Sequence, residues 1–110
     1  MKYRVIELNG KETLLEEDEV RSLIRRYDPD SEYEDCILCL KYHRLSKVHL
    51  CECCPIGKYK RFACYHLAGM ILGTDTKADI TTIAHKKHNE TKQDALKLKE
   101  WFENLPMKED

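Results

Sequence analysis

Cys51 and Cys53 stand one residue apart, Cys64 and His66 stand one residue apart, and ten residues separate the two pairs. Three thiolates and one imidazole are the ligand types that a tetrahedral structural zinc takes up, because Zn2+ is a borderline-soft ion that favours sulfur and nitrogen donors. A ten-residue spacer is long enough to fold one pair back over the other. The spacing therefore predicts one Zn2+ held by Cys51, Cys53, Cys64 and His66. All four positions of such a site are taken by protein, which leaves none open for substrate.

This pattern, Cys-x-Cys, a spacer, Cys-x-His and then an apolar run at Leu67-Ala68-Gly69-Met70-Ile71-Leu72, resembles the SWIM zinc finger over roughly residues 36–73. The chain departs from that pattern in carrying Gly69, with Ala68 just before it, three positions after the histidine where a small residue, usually Ala, is expected, and Cys54 as an extra thiol directly after the first pair. The resemblance implies a ββα module with the first pair after a hairpin and the second at the start of a helix. It also implies binding to DNA or to proteins inside larger machines such as transposases, chromatin ATPases, ubiquitin ligases and recombination-mediator complexes.

A rival ligand set shares Cys51. Cys36-x-x-Cys39 with Cys51-x-x-Cys54 has the spacing of a four-cysteine zinc ribbon and resembles small phage-encoded proteins of unknown function. The residues from Cys36 to Tyr42 alternate as a strand would, and strand geometry aims positions 36 and 39 at opposite faces. That works against this clamp unless the chain turns there as a knuckle. Cys36, Cys39 and Cys54 also read as buried thiols acting as small apolar residues. A disulfide framework is the remaining use for six cysteines.

Charge is segregated along the chain although the formal total is only −1. Residues 1–35 carry six basic side chains against eleven carboxylates, a balance of −5. Residues 36–61 carry six against Glu52 alone, a balance of +5. Lys41, Arg44, Lys47, Lys58, Lys60 and Arg61, with Tyr59 and Phe62 among them, would attract a phosphate backbone and offer rings to unpaired bases. The same residues also fit a role in which the aromatics shield the metal thiolates and the lysines are solvated.

The elements that must position these groups are legible in outline. Tyr3–Leu8 and Lys11–Leu15 have strand-forming residues around Asn9-Gly10, a pair that favours the two-residue hairpin turn. The acidic run Glu16–Glu19 suits the first turn of a helix, where carboxylates face the positive end of the macrodipole. Val20, Leu23, Ile24 and Tyr27 give that helix a buried face, Asp28-Pro29 ends it, and Arg21, Arg25 and Arg26 read as its solvated surface. Residues 30–35 form a polar connector. Cys36–Tyr42 and Lys47–Leu50 are expected to pair as a hairpin about residues 43–46. A short helix from Cys64 should be capped by Gly73, and a further helix should start at Thr74–Thr76 with Asp79 in its first turn. His85 and His88 on that helix read as solvated. Ala95, Leu98, Phe102 and Leu105 mark a last amphipathic helix, with Trp101 at its edge as a candidate partner contact, and residues 107–110 should be loose.

The expected fold class is α+β in a single domain spanning 1–110: an acidic hairpin–helix segment (1–35), a SWIM-like zinc module (36–73) and a C-terminal helical segment (74–110). No run of about 18 apolar residues is present, so no membrane span is expected. The start Met1-Lys2-Tyr3-Arg4-Val5 lacks the apolar stretch of a secretory signal, which predicts a cytoplasmic protein with reduced cysteines. The deaminase signature, the phosphate loop and the metalloprotease helix motif are all missing, and no catalytic activity is expected. The sequence thus predicts a small zinc-stabilised module that binds DNA or RNA, or an adaptor that docks a larger protein through its N-terminal segment or last helix.

Overall fold

The computed structural model describes residues 2–8, 11–42, 63–74, 78–85 and 89–109. Among these residues the order is β1 (Lys2–Leu8), β2 (Lys11–Glu16), α1 (Glu17–Tyr27), α2 (Ile37–Tyr42), α3 (Ala63–Ile71), α4 (Ile80–His85), α5 (Asn89–Glu103) and β3 (Met107–Glu109). The class is α+β: a three-stranded antiparallel sheet in the order β2-β1-β3, with helices on one face.

The hairpin register pairs Leu8 with Lys11 and Tyr3 with Glu16, which leaves the two residues Asn9-Gly10 to connect the strands. Alternation then turns Ile6, Thr13 and Leu15 inward, all at 3% exposure or less, and leaves Glu7, Glu12 and Leu14 exposed. Contrary to the expectation of a loose C-terminus, residues 107–109 pair with Arg4, Tyr3 and Lys2 as β3. The reason is that β1 offers an open edge beside the end of α5. Arg4 fixes this junction by donating from Nη1 to the Leu105 carbonyl at 2.8 Å while its Nε lies 3.3 Å from Glu17 of α1.

The acidic run starts α1 as predicted. Glu19, only 1% exposed, accepts the Glu16 backbone N–H at 2.9 Å, which satisfies one of the donors a helix start leaves open. Val20, Leu23 and Tyr27 face α5, and the Tyr27 ring stacks on Phe102 with centroids 5.8 Å apart. Around them Leu38, Leu67, Ile83, Ala84, Ala95, Leu98 and Leu105 complete the core, so that every described helix contributes to it.

Two further elements differ from the reading of the sequence. Residues 37–42 are the helix α2 and not a strand: the Leu40 N–H donates to the Cys36 carbonyl at 3.1 Å, and Leu38 is buried while Leu40 is 55% exposed. Helical spacing puts Ile37, Leu38 and Lys41 toward α1, a face that a strand would have split. The helix after Gly73 starts at Ile80 and not at 74–76, because Asp79 caps it by accepting the Thr82 N–H at 3.2 Å and the Thr82 hydroxyl at 2.9 Å. Gly73 does end α3. Its φ of 74° lets its own N–H reach the Met70 carbonyl at 3.2 Å and the Thr74 N–H reach Gly69 at 2.9 Å, a Schellman close. None of the described helices is long and apolar enough to cross a membrane.

Candidate metal centre

Of the predicted ligands, Cys36, Cys64 and His66 have described side chains, and Cys39 has a described backbone. Cys51, Cys53 and Cys54 lie outside the described residues, as do Arg44, Lys47, Lys58, Tyr59, Lys60, Arg61 and the expected second hairpin strand at 47–50. Among the described residues, no group of three or more Cys, His, Asp or Glu is placed to hold a metal ion.

Cys36 immediately precedes α2 and supplies the carbonyl of its first helical hydrogen bond, which makes it the N-cap, with Cys39 as the third helical residue. The N-cap and third positions lie on the same side of a helix's first turn, as the reciprocal bonds of a capping box show. The objection raised by strand geometry to Cys36-x-x-Cys39 therefore does not apply to this backbone.

Cys64 and His66 are the second and fourth residues of α3. At 3.6 residues per turn, positions two apart point to nearly opposite sides. Cys64 shares its face with Leu67, Ala68 and Ile71, and Leu67 and Ala68 are fully buried in the core. His66 belongs to the face of Met70, which is 52% exposed. Both residues stand at the start of α3, and Cys51 and Cys53, the other members of that ligand set, lie outside the described residues.

Cys36 and Cys64 pack against the same core, and both lie within electrostatic reach of Tyr27. Burial pushes the Tyr27 phenol well above its ordinary value. Beside it, Arg26 is 4% exposed, and not part of the solvated surface the sequence suggested. Its Nη1 donates to the Glu34 carbonyl at 2.7 Å and its Nε to the Tyr27 hydroxyl at 3.3 Å, while the guanidinium stands 5.6 Å and 5.5 Å from the centres of the Tyr27 and Tyr33 rings. Cys36 is also a charge neighbour of Arg26. A fixed cation here would offset the negative charge of a cluster of thiolate ligands.

The connector 30–35 closes over this group. Glu34 accepts from the Ser22 hydroxyl at 3.0 Å and pairs with Arg25 at 3.2 Å, and Tyr33 stacks on the exposed His85 with centroids 4.1 Å apart. The clue to this burial was present in the sequence: Glu19, Ser22 and Arg26 fall on one helical stripe, a polar face that a covering segment could satisfy.

Lys41, predicted to contact nucleic acid, is held at the start of α1. Its ammonium lies 3.0 Å from Asp18, 3.3 Å from Glu16 and 3.6 Å from Glu19. The hydrogen bond to Asp18 and the neighbouring carboxylates keep its pKa above the ordinary lysine range. Arg21, by contrast, is 72% exposed. No family model, curated protein or solved structure matches this chain.

Proposed function

We propose that this chain is a small structural-zinc module that binds nucleic acid through its basic segment 41–61. The observation that carries the reading is the charge segregation: one 26-residue stretch holds a +5 balance together with the cysteine clamps, while the acidic surplus sits in residues 1–35. Phosphate contacts made by lysine and arginine dominate nucleic-acid affinity, and acidic segments would be repelled. Lys41 is assigned to the internal ion pairs, which leaves Arg44, Lys47, Lys58, Lys60 and Arg61 as the contact residues, with Tyr59 as a stacking ring.

The metal is proposed as Zn2+ held by Cys36, Cys39, Cys51 and Cys54. The start of α2 favours Cys36 and Cys39 as one clamp, since the N-cap and third positions lie on the same side of a helix's first turn. The SWIM-like set of Cys51, Cys53, Cys64 and His66 is the second reading, favoured by its four matching sequence positions. In either case the metal acts as a cross-link whose binding free energy becomes folding free energy.

Two measurements test these assignments separately. Elemental analysis of purified variants should show zinc lost in Cys36→Ser and Cys39→Ser and kept in His66→Ala; the reverse pattern restores the SWIM-like set. Fluorescence anisotropy with labelled single-stranded DNA, double-stranded DNA and RNA at low salt should show binding that weakens steeply as salt rises. Charge reversal at Lys58, Lys60 and Arg61 should abolish it. No binding to any of the three by a zinc-loaded, folded protein removes the nucleic-acid reading and favours the adaptor, with Trp101→Ala in a pull-down as its test.

A further inference from the structure

Glu34 brings its carboxylate down onto one side of α1, where three donors receive it. The Ser22 hydroxyl donates to Oε1 at 3.0 Å, Arg25 Nη2 donates to Oε1 at 3.2 Å, and Arg25 Nε donates to Oε2 at 3.3 Å. Ser22 and Arg25 stand three residues apart on the helix and so share a side of it. Two guanidinium nitrogens meeting two oxygens is an arrangement that carboxylates and phosphates both take up. Ser22 is 4% exposed beneath the connector, while the Arg25 side chain is 58% exposed and open to solvent. Arg21 lies one turn earlier on the same side, with its Nε 3.9 Å from Glu17, beyond hydrogen-bond length.

The segment that carries Glu34 has the charge to lie against cations. Residues 30–35 hold Asp30, Glu32, Glu34 and Asp35 and no basic side chain, four of the eleven carboxylates of residues 1–35. They form neither helix nor strand. A carboxylate on such a segment is a tethered ligand. It fills the site at the effective concentration its tether sets, and an external anion binds by displacing it. A phosphate carries more negative charge than the carboxylate it would displace, and Arg21 is placed to meet the excess.

We infer that Ser22 and Arg25, with Arg21 at the edge, form a binding site for a phosphate group, and that Glu34 occupies this site in cis as an internal competitor. The connector 30–35 is then an autoinhibitory contact: its acidic surplus covers the arginines of α1 until a phosphate displaces Glu34. The inference stands apart from the metal and nucleic-acid readings, because it uses neither the cysteines nor residues 41–61.

The Arg25 Nε–H resonance of the full-length, 15N-labelled protein reports on the site directly. Inorganic phosphate is titrated into wild type and Glu34→Ala at pH 7 and constant ionic strength, with chloride as the balancing anion. In Glu34→Ala the resonance should shift saturably with phosphate, and the affinity should exceed that of wild type about tenfold, the effect of removing a partly exposed ion pair and its hydroxyl contact from the competition. Arg21→Ala in that background should weaken binding several-fold. Glu34→Gln keeps an oxygen for Ser22 and should change affinity in the same direction, so it serves where Glu34→Ala unfolds. A thymidine dinucleotide with one phosphodiester is titrated in parallel: a response to it makes the ligand a nucleic-acid phosphate, and a response to inorganic phosphate alone makes it a free one. No saturable shift with either probe in the Glu34 variants, equal affinity in variants and wild type, or the same response to chloride overturns the proposal.

Discussion

Replacing Lys41 by methionine keeps the aliphatic stem and removes the ammonium that joins α2 to the start of α1. Asp18 and Glu16 are 64% and 46% exposed, so their pairs with Lys41 are screened, and each contributes about 0.3–0.5 kcal/mol. Glu19 is different. At 1% exposure it keeps the Glu16 N–H but loses its cation, and a buried carboxylate left so costs about 1 kcal/mol or somewhat more. The sum is about 2 kcal/mol, which in a domain of this size lowers the melting temperature by about 8 °C. Lys41→Arg should recover most of it.

The pH dependence fixes the cause. The hydrogen bond from Lys41 holds Asp18 below its ordinary value of 3.8, so its share of stability is present above that value and is lost as pH falls through the lowered one. Lys41 is raised above 10.5, so its share is complete below that value and is lost only as pH rises beyond it. The difference between wild type and Lys41→Met should therefore be flat from pH 5 to pH 9 and shrink below pH 4. Thermal unfolding at pH 3, 5, 7 and 9 reads this out. An unchanged melting temperature at pH 7, or a deficit as large at pH 3 as at pH 7, refutes the ion-pair account.

Phe102→Ala removes the ring stacked on Tyr27 at the centre of the α1–α5 contact and should cost about 3–5 kcal/mol, read as a fall in the urea midpoint. The Tyr27 phenol, pushed up by burial, should stay protonated past pH 10 in the folded state; stability is then complete below pH 10 and falls as pH rises above it, and a titration at 295 nm of wild type against Tyr27→Phe isolates its contribution. Truncation after Pro106 removes β3 and should cost about 1–2 kcal/mol, with faster hydrogen exchange confined to the amides of residues 2–4.

The hairpin and α1 were legible because each had several agreeing signals. Asn9-Gly10, the alternation from Val5 to Leu15, the acidic first turn and the stripe through Val20, Leu23 and Tyr27 all point the same way. α2 was not, since Cys36–Tyr42 is short and rich in apolar residues, and such a run satisfies both the strand and the helix period. What decides it is the α1 surface beneath it, where Glu19 and the core around Leu38 accept a helical face and not an alternating one. Arg26 misled for a related reason. A polar stripe on a helix is read as solvated, and only the arrival of Tyr33 and Glu34 from the connector turns it into a buried one. β3 had no sequence signal of its own; Met107-Lys108-Glu109 is a strand because β1 has an edge to fill.

The position of Cys36 makes the two ligand sets distinguishable by energetics as well as by metal content. If zinc is held by Cys36 and Cys39, the ion is bound to the first turn of α2, and α2 is the helix that Lys41 ties to α1. Metal binding and the Lys41 cluster then stabilise the same element. Removing either one loosens the surface on which the other acts, and the two effects fall short of adding. The Lys41→Met penalty should drop from about 2 kcal/mol with zinc to well under 1 kcal/mol in excess chelator, since a frayed α2 no longer delivers the ammonium to Glu19. A centre built from Cys51, Cys53, Cys64 and His66 attaches to α3, and its removal leaves the start of α2 and its ion pairs as they were. In that case the penalty is the same with and without metal. A double-mutant cycle in which one mutation is replaced by chelation therefore reads which helix carries the ion, independently of any loss of zinc caused by altering a cysteine.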